Sequence, residues 1–138
     1  MEIPSTLHQK FRELGVATVY LFGSRAQGSA GPLSDYDFAI LMNKGEKMPR
    51  VGMVSPLYYT LYDILSPFCP REFPYDILDI IFLEKAPLEL QLHVIRHGKV
   101  IFDANQKLRA NFEESVMFKT ADFAPLRHLM HAALLARL

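Results

Sequence analysis

The sequence predicts a layered α/β (α+β) domain, a mixed four-stranded sheet flanked by helices. Three observations carry that prediction. The run Val16-Ala17-Thr18-Val19-Tyr20-Leu21-Phe22 is almost unbroken in apolar, β-branched and aromatic residues, as a strand buried on both faces requires. Comparable runs recur over 35–42, 75–83 and 100–102. Between and around them, apolar residues repeat at helical spacing, so the order reads αβαβαβαβα.

Taken in order, Ile3, Leu7, Phe11 and Leu14 predict a helix over 4–14, with Gly15 as its C-cap. The strand over 16–22 stops at Gly23-Ser24. Ser24-Arg25-Ala26-Gln27 then opens a short helix before the turn at Gly31-Pro32. The strand over 35–42 is ended by Asn43-Lys44-Gly45. Leu57, Leu61, Ile64 and Leu65 fall on one stripe of a helix over 56–65, and Pro67, Pro70 and Pro74 force a loop after it. The third strand, 75–83, leads to a helix over 88–96 closed by His97-Gly98, and then to the short strand over 100–102. The remainder, from about Asn105, is helical with a break at Pro125, whose ring removes a backbone donor.

Composition bounds the function. The 138 residues carry 15 Lys+Arg against 15 Asp+Glu, with a pI near 7.0, and half are apolar. Burying about 70% of the unfolded surface, as this length allows, makes one core and not two. A net charge of zero argues against a protein that tracks nucleic-acid backbone, which needs a basic surplus. A single cysteine, Cys69, excludes a disulfide framework and a Cys-rich zinc site and fits a reducing compartment. Met1-Glu2-Ile3-Pro4-Ser5 has no signal-peptide character, and no apolar run reaches the roughly 18 residues of a membrane span. The expectation is one cytoplasmic domain over 1–138.

The chemistry is concentrated between Leu21 and Phe38. Gly23 follows a buried strand, where the backbone can turn sharply and a ligand can approach without meeting a Cβ. Ser24 stands at the mouth of a helix, where unpaired N–H groups and the helix dipole favour a phosphate. Asp35 and Asp37 follow, spaced by two, so on a strand both carboxylates leave the same face. Two such neighbours repel unless a cation lies between them, and Mg²⁺, a hard ion taking carboxylates and phosphate oxygens together, suits that position. A phosphate cradle beside a carboxylate pair is the layout for phosphoryl or nucleotidyl transfer.

Gly23-Ser24, ten residues, then Asp35-Tyr36-Asp37 resembles the signature of the DNA polymerase beta-like nucleotidyltransferase superfamily. The flanks Phe22-Gly23-Ser24-Arg25-Ala26 and Ser34-Asp35-Tyr36-Asp37 are similar to its small prokaryotic branch, the minimal nucleotidyltransferases (MNT). The likeness continues through Leu78-Asp79-Ile80-Ile81-Phe82-Leu83, Ala86-Pro87 and Gly98-Lys99-Val100-Ile101-Phe102. It implies the nucleotidyltransferase fold and a third carboxylate on the strand over 75–83. That strand offers Asp76 and Asp79, three apart and so on opposite faces, and only one can join the pair. The spacing of Asp79 to Ala86-Pro87 looks like the family's, which selects Asp79.

The resemblance further implies two-metal nucleotidyl transfer with ATP as substrate. Asp35 and Asp37 would hold Mg²⁺ against the triphosphate. Asp79 would complete the second metal and help lower the pKa of the attacking hydroxyl. Gly23 and Ser24 would hold the β- and γ-phosphates, and Arg25 would reach phosphate as a charge-assisted donor. Gln27 departs from the pattern, standing where many MNT sequences have a second Arg. MNT proteins are typically paired with a helical HEPN protein as antitoxin and toxin, transferring AMP to a tyrosine hydroxyl of the HEPN partner. Two other readings keep the same fold. One is a silent module that neutralises its partner by occlusion, and the other is a small-molecule transferase of the aminoglycoside type.

Other signals read as structure. His93 and His97 have the spacing of a zinc pair but sit in a last helical turn, where basic groups meet the helix dipole. Tyr58, Tyr59 and Tyr62 read as core and groove wall rather than a base-stacking platform, although one of them could touch a purine. Cys69 has no acid–base partner nearby in sequence, and Lys44, Lys47 and Arg50 form a sparse basic loop. Leu126, Leu129, Met130, Ala133 and Leu134 make a stripe on a helix over 125–138. It either folds back to finish the core or stands free as a ridge for a partner helix or a second copy of the chain, giving a homodimer.

Overall fold

Strand β1 (Val16–Phe22) is buried at every position and lies inside a four-stranded sheet, which explains why its sequence is apolar throughout rather than alternating. A computed structural model describes residues 3–23, 36–45, 55–69 and 78–137, with the side chains at 122–124, 126 and 127 excepted. The other strands are β2 (Tyr36–Met42), β3 (Leu78–Phe82) and β4 (Lys99–Asp103), in the order β3-β2-β1-β4. β1 runs antiparallel to both neighbours, while β2 and β3 are parallel, so the sheet is mixed as expected.

Helix α1 (Ser5–Glu13) buries Leu7 and Phe11 and ends where Gly15 takes a positive φ of 80°, with its N–H donated to the Arg12 carbonyl. Helix α2 (Pro56–Leu65) starts at Ser55, whose side chain accepts from the Tyr58 N–H, and buries Leu61 and Leu65. Both pack on one face of the sheet, against Val19, Leu21, Phe38, Ile40, Ile80 and Phe82. The opposite face presents Tyr20, Phe22, Ala39 and Ile81 to helix α3 (Leu88–His97), which buries Val94, and to Phe112 on helix α4 (Gln106–Leu135). This alternation between the two faces is the period-two rule of a strand, and it decides which way each acid of β2 and β3 points.

One expectation needs correction. The helix does not break at Pro125: α4 is continuous from Gln106 to Leu135 with Pro125 inside it. Pro125 is exposed there, so water can satisfy the carbonyl that the missing N–H leaves unpaired. The carboxy-terminal stripe, for which packing on the core and a free ridge were both open, is exposed at its described positions. Leu129, Met130 and Leu134 are 69%, 58% and 62% exposed. The physical reason is that the sheet already has both faces covered by the time the chain passes Val116, the last buried residue of α4 among those described. The short helix read from Ser24 and the loop containing Pro70 and Pro74 lie outside the described residues.

Candidate active site

The site is assembled at the end of β1 and the beginnings of β2 and β3. In the antiparallel ladder Phe22 faces Asp37, and in the parallel ladder Asp37 faces Asp79. Tyr36, Phe38, Leu78 and Ile80 belong to the core under α1 and α2, whereas Ala39 and Ile81 belong to the core under α3. Strand alternation therefore sends Asp37 and Asp79 to the α3 side, away from the larger core. Neighbouring strands lie roughly 4.8 Å apart, so the two carboxylates stand side by side. Asp37 is half-buried and Asp79 is exposed, which keeps the pair within reach of a ligand from solvent.

Gly23 closes this end of the sheet. Its φ is 75°, in the left-handed region that side-chain-bearing residues rarely adopt. A Cβ built there would run into the Asp37 carboxylate, with Asp37 Cγ only 3.3 Å away. A glycine is needed twice over, for the turn and for the space in which Asp37 lies across the backbone. Asp35, Ser24 and Arg25, which the motif predicts beside this pair, lie outside the described residues, as does Asp76.

The donor set fits a divalent cation in part. Asp37 and Asp79 supply hard oxygen donors on adjacent strands, the ligand type Mg²⁺ takes, and like charges placed this close invite one. Among the described residues no group of three His, Cys, Asp or Glu side chains is gathered to hold a metal. The third acid of the motif, Asp35, is not among them.

Tyr58 lies on the α1 and α2 side of the sheet, the face opposite to the one the two acids leave. It is half-buried on α2, edge-on to Tyr59 at 6.0 Å between ring centroids and tilted on Tyr62 at 6.4 Å. Burial first, and then the charge of Asp79, push its phenol above the ordinary range. Tyr58 and Tyr62 pack on the core as the wall residues they were expected to be, while Tyr59 is 60% exposed. His93 and His97 lie on α3 with ring centroids 5.0 Å apart, in a last turn that also holds Arg96. Cys69 is buried and its thiol donates to the Leu65 carbonyl at 3.4 Å.

A polar latch, for which the sequence carried no signal, holds α4 to the sheet. Arg109 Nε donates to Asp103 at 2.7 Å and Thr18 Oγ1 donates to the same carboxylate at 3.3 Å. The Tyr20 hydroxyl donates to Glu113 at 2.8 Å, and Arg109 reaches Glu113 at 3.4 Å. Its residues come from β1, β4 and α4, far apart in sequence. A separate pocket of about 460 Å³, lined by Leu41, Met42, Glu84, Leu108 and Phe112, opens at the opposite end of the sheet from Asp37.

The mixed sheet thus ends in a glycine against an acid on the next strand, with a further acid in register beyond it. The chain belongs to the family of polymerase beta nucleotidyltransferases, whose model matches residues 5–107. That family's chemistry uses a nucleoside triphosphate and, in general, a divalent metal. Its fold is shared, over nearly the whole of both chains, with solved structures of toxin–antitoxin systems. One, a toxin–antitoxin with AMP-PNP, is 21% identical, covers 93% of this chain and 98% of its own, and has a TM-score of 0.63. A mutant of the toxin–antitoxin MntA-HpeT is 20% identical over 97% and 99%, with a TM-score of 0.64. A tri-AMPylated Shewanella oneidensis HEPN toxin in complex with MNT antitoxin matches at 18% identity over 93% and 95%, with a TM-score of 0.57. Among curated proteins no relative matches the sequence. Among the described residues no helix is long and apolar enough to cross a membrane.

Proposed function

We propose that the chain is the antitoxin of a HEPN/MNT pair and transfers AMP from ATP to a tyrosine hydroxyl of its HEPN partner. The observation that carries this reading is the register of Asp37 with Asp79, beside a glycine whose missing side chain makes room for Asp37. Support comes from the family to which the chain belongs and from the toxin–antitoxin structures that share its fold.

In this reading Asp35, Asp37 and Asp79 hold Mg²⁺. The bound ion would neutralise charge on the triphosphate and sharpen the nucleophile. The Gly23 amide, Ser24 and Arg25 orient the β- and γ-phosphates so that the α-phosphorus faces the incoming hydroxyl. The tyrosine oxygen forms a bond to the α-phosphorus as the bond to the β-phosphate oxygen breaks. Pyrophosphate leaves, the phenolic proton passes to Asp79 and on to solvent, and the partner keeps an AMP phosphodiester.

The test is to mix the purified chain with the HEPN partner, Mg²⁺ and ATP labelled at the α-phosphate. Label on a partner tyrosine is the expected result. A tight complex with no label would replace this reading with inhibition by occlusion, and label on an aminoglycoside but not on protein would replace it with small-molecule transfer.

A further inference from the structure

We infer that the free half of α4, with the basic end of α3 beside it, is a docking surface for a helical face of a different protein whose apolar stripe is rimmed by carboxylates. It delivers that protein to the Asp37–Asp79 end of the sheet. The inference deepens the function proposed above and rests on it for the identity of the probe.

The direction of α4 is the first step. Arg109 is tied to Asp103, which pairs with Thr18, and Glu113 is tied to Tyr20, so α4 advances in the same sense as β1. From Thr18 to Phe22 the strand rises about 13 Å at roughly 3.3 Å per residue. A helix covers that distance in about nine residues at 1.5 Å each. Starting from Arg109, α4 draws level with the end of β1, and so with Gly23 and Asp37, at about residue 118. The remainder, to Leu135, reaches about 25 Å past the site end of the sheet.

Among its described residues the large apolar side chains are uncovered. Met117 and Phe118 are 47% and 61% exposed where the helix leaves the domain, and Leu129, Met130, Leu134 and Leu135 are all more than half exposed. Single exposed apolar residues need no explanation, but six on one helix do.

Charge selects the occupant. Residues 118–138 contain Lys119, Arg127, His128, His131 and Arg137 against a single acid, Asp122. Arg96, His97 and Lys99 are exposed at the same end, because Lys99 pairs with Leu21. A second copy packed on this ridge would set like charge against like charge, whereas an acidic rim on another protein would be matched. Nucleic acid would satisfy the charges and leave the apolar residues in water.

The probe is the HEPN-type partner of the proposed function, with binding measured by calorimetry and transfer by α-phosphate label. Met130→Asp and Leu134→Asp change exposed positions outside the core, and circular dichroism checks the fold. Each is expected to weaken the complex by about tenfold or more while ATP binding is unchanged. Arg96→Glu with Arg137→Glu is expected to do the same, and wild-type affinity is expected to fall as NaCl rises from about 0.05 to about 0.5 M. Variants that bind as tightly as wild type overturn the docking surface and leave the transfer reading standing. Tight wild-type binding without label overturns the transfer reading and leaves the docking surface standing. A chain that sediments as a dimer split by Met130→Asp, a preference for RNA, or no binding of the probe at all would each overturn the proposal.

Discussion

Asp37 on β2 and Asp79 on β3 occupy the same level of a parallel strand pair and leave the same face of the sheet, although 42 positions separate them in sequence. In the folded protein without a cation they repel, so each is a cost to stability and, in the proposed reaction, a ligand. Asp37→Asn is expected to lower nucleotidyl transfer by about 100-fold or more while the melting temperature is unchanged or higher. Asp79→Asn should behave likewise and Asp76→Asn should not. Label transfer and thermal melts on the three variants check this, and near wild-type turnover in Asp37→Asn would remove Asp37 from the site.

Gly23→Ala places a methyl group against the Asp37 carboxylate and forces an alanine to a φ of 75°. The expected cost is about 1–3 kcal/mol of stability, with transfer lost because Asp37 is displaced. In the double variant Gly23→Ala with Asp37→Ala the clash disappears and only the backbone strain remains. Denaturant melts of the cycle should therefore show the second substitution recovering part of the first one's cost.

Burial, followed by the hydrogen bond to Glu113, holds the Tyr20 phenol well above its ordinary value of 10.0. The unfolded chain loses that proton above about pH 10 while the folded chain keeps it, so stability falls as pH rises through that point, by up to about 1.4 kcal/mol per pH unit. Tyr20→Phe should cost about 1–2 kcal/mol at neutral pH, where the hydrogen bond is lost. Above about pH 10 it should show a shallower decline than wild type. Melts of both proteins across that range give the comparison, and equal slopes would mean that Tyr20 is not held protonated by the fold.

Pro125 interrupts the hydrogen-bond ladder of α4 without ending the helix. Pro125→Ala restores the donor to the Ala121 carbonyl, at a position that is itself exposed. Amide exchange over 126–135 is expected to slow by about tenfold, with the global melting temperature unchanged. A rise in global stability instead would show that this half of α4 is coupled to the core.

Local chemistry alone determined most of the architecture. The apolar run 16–22 became a fully buried strand, and the stripe over 56–65 became α2 with Ser55 as its cap, because period and capping are written within a few consecutive residues. The turn at Gly23 was legible for the same reason, as a glycine directly after a buried strand. Only the tertiary structure decided that Asp79 stands level with Asp37, since strand register depends on how two distant segments pack. Only it brought Tyr58 near Asp79 and joined Thr18, Tyr20, Asp103, Arg109 and Glu113 into one latch. The fate of α4 was decided there too. Its stripe is the same whether buried or bare, and the difference is that other residues had already covered the sheet before the helix passed its edge.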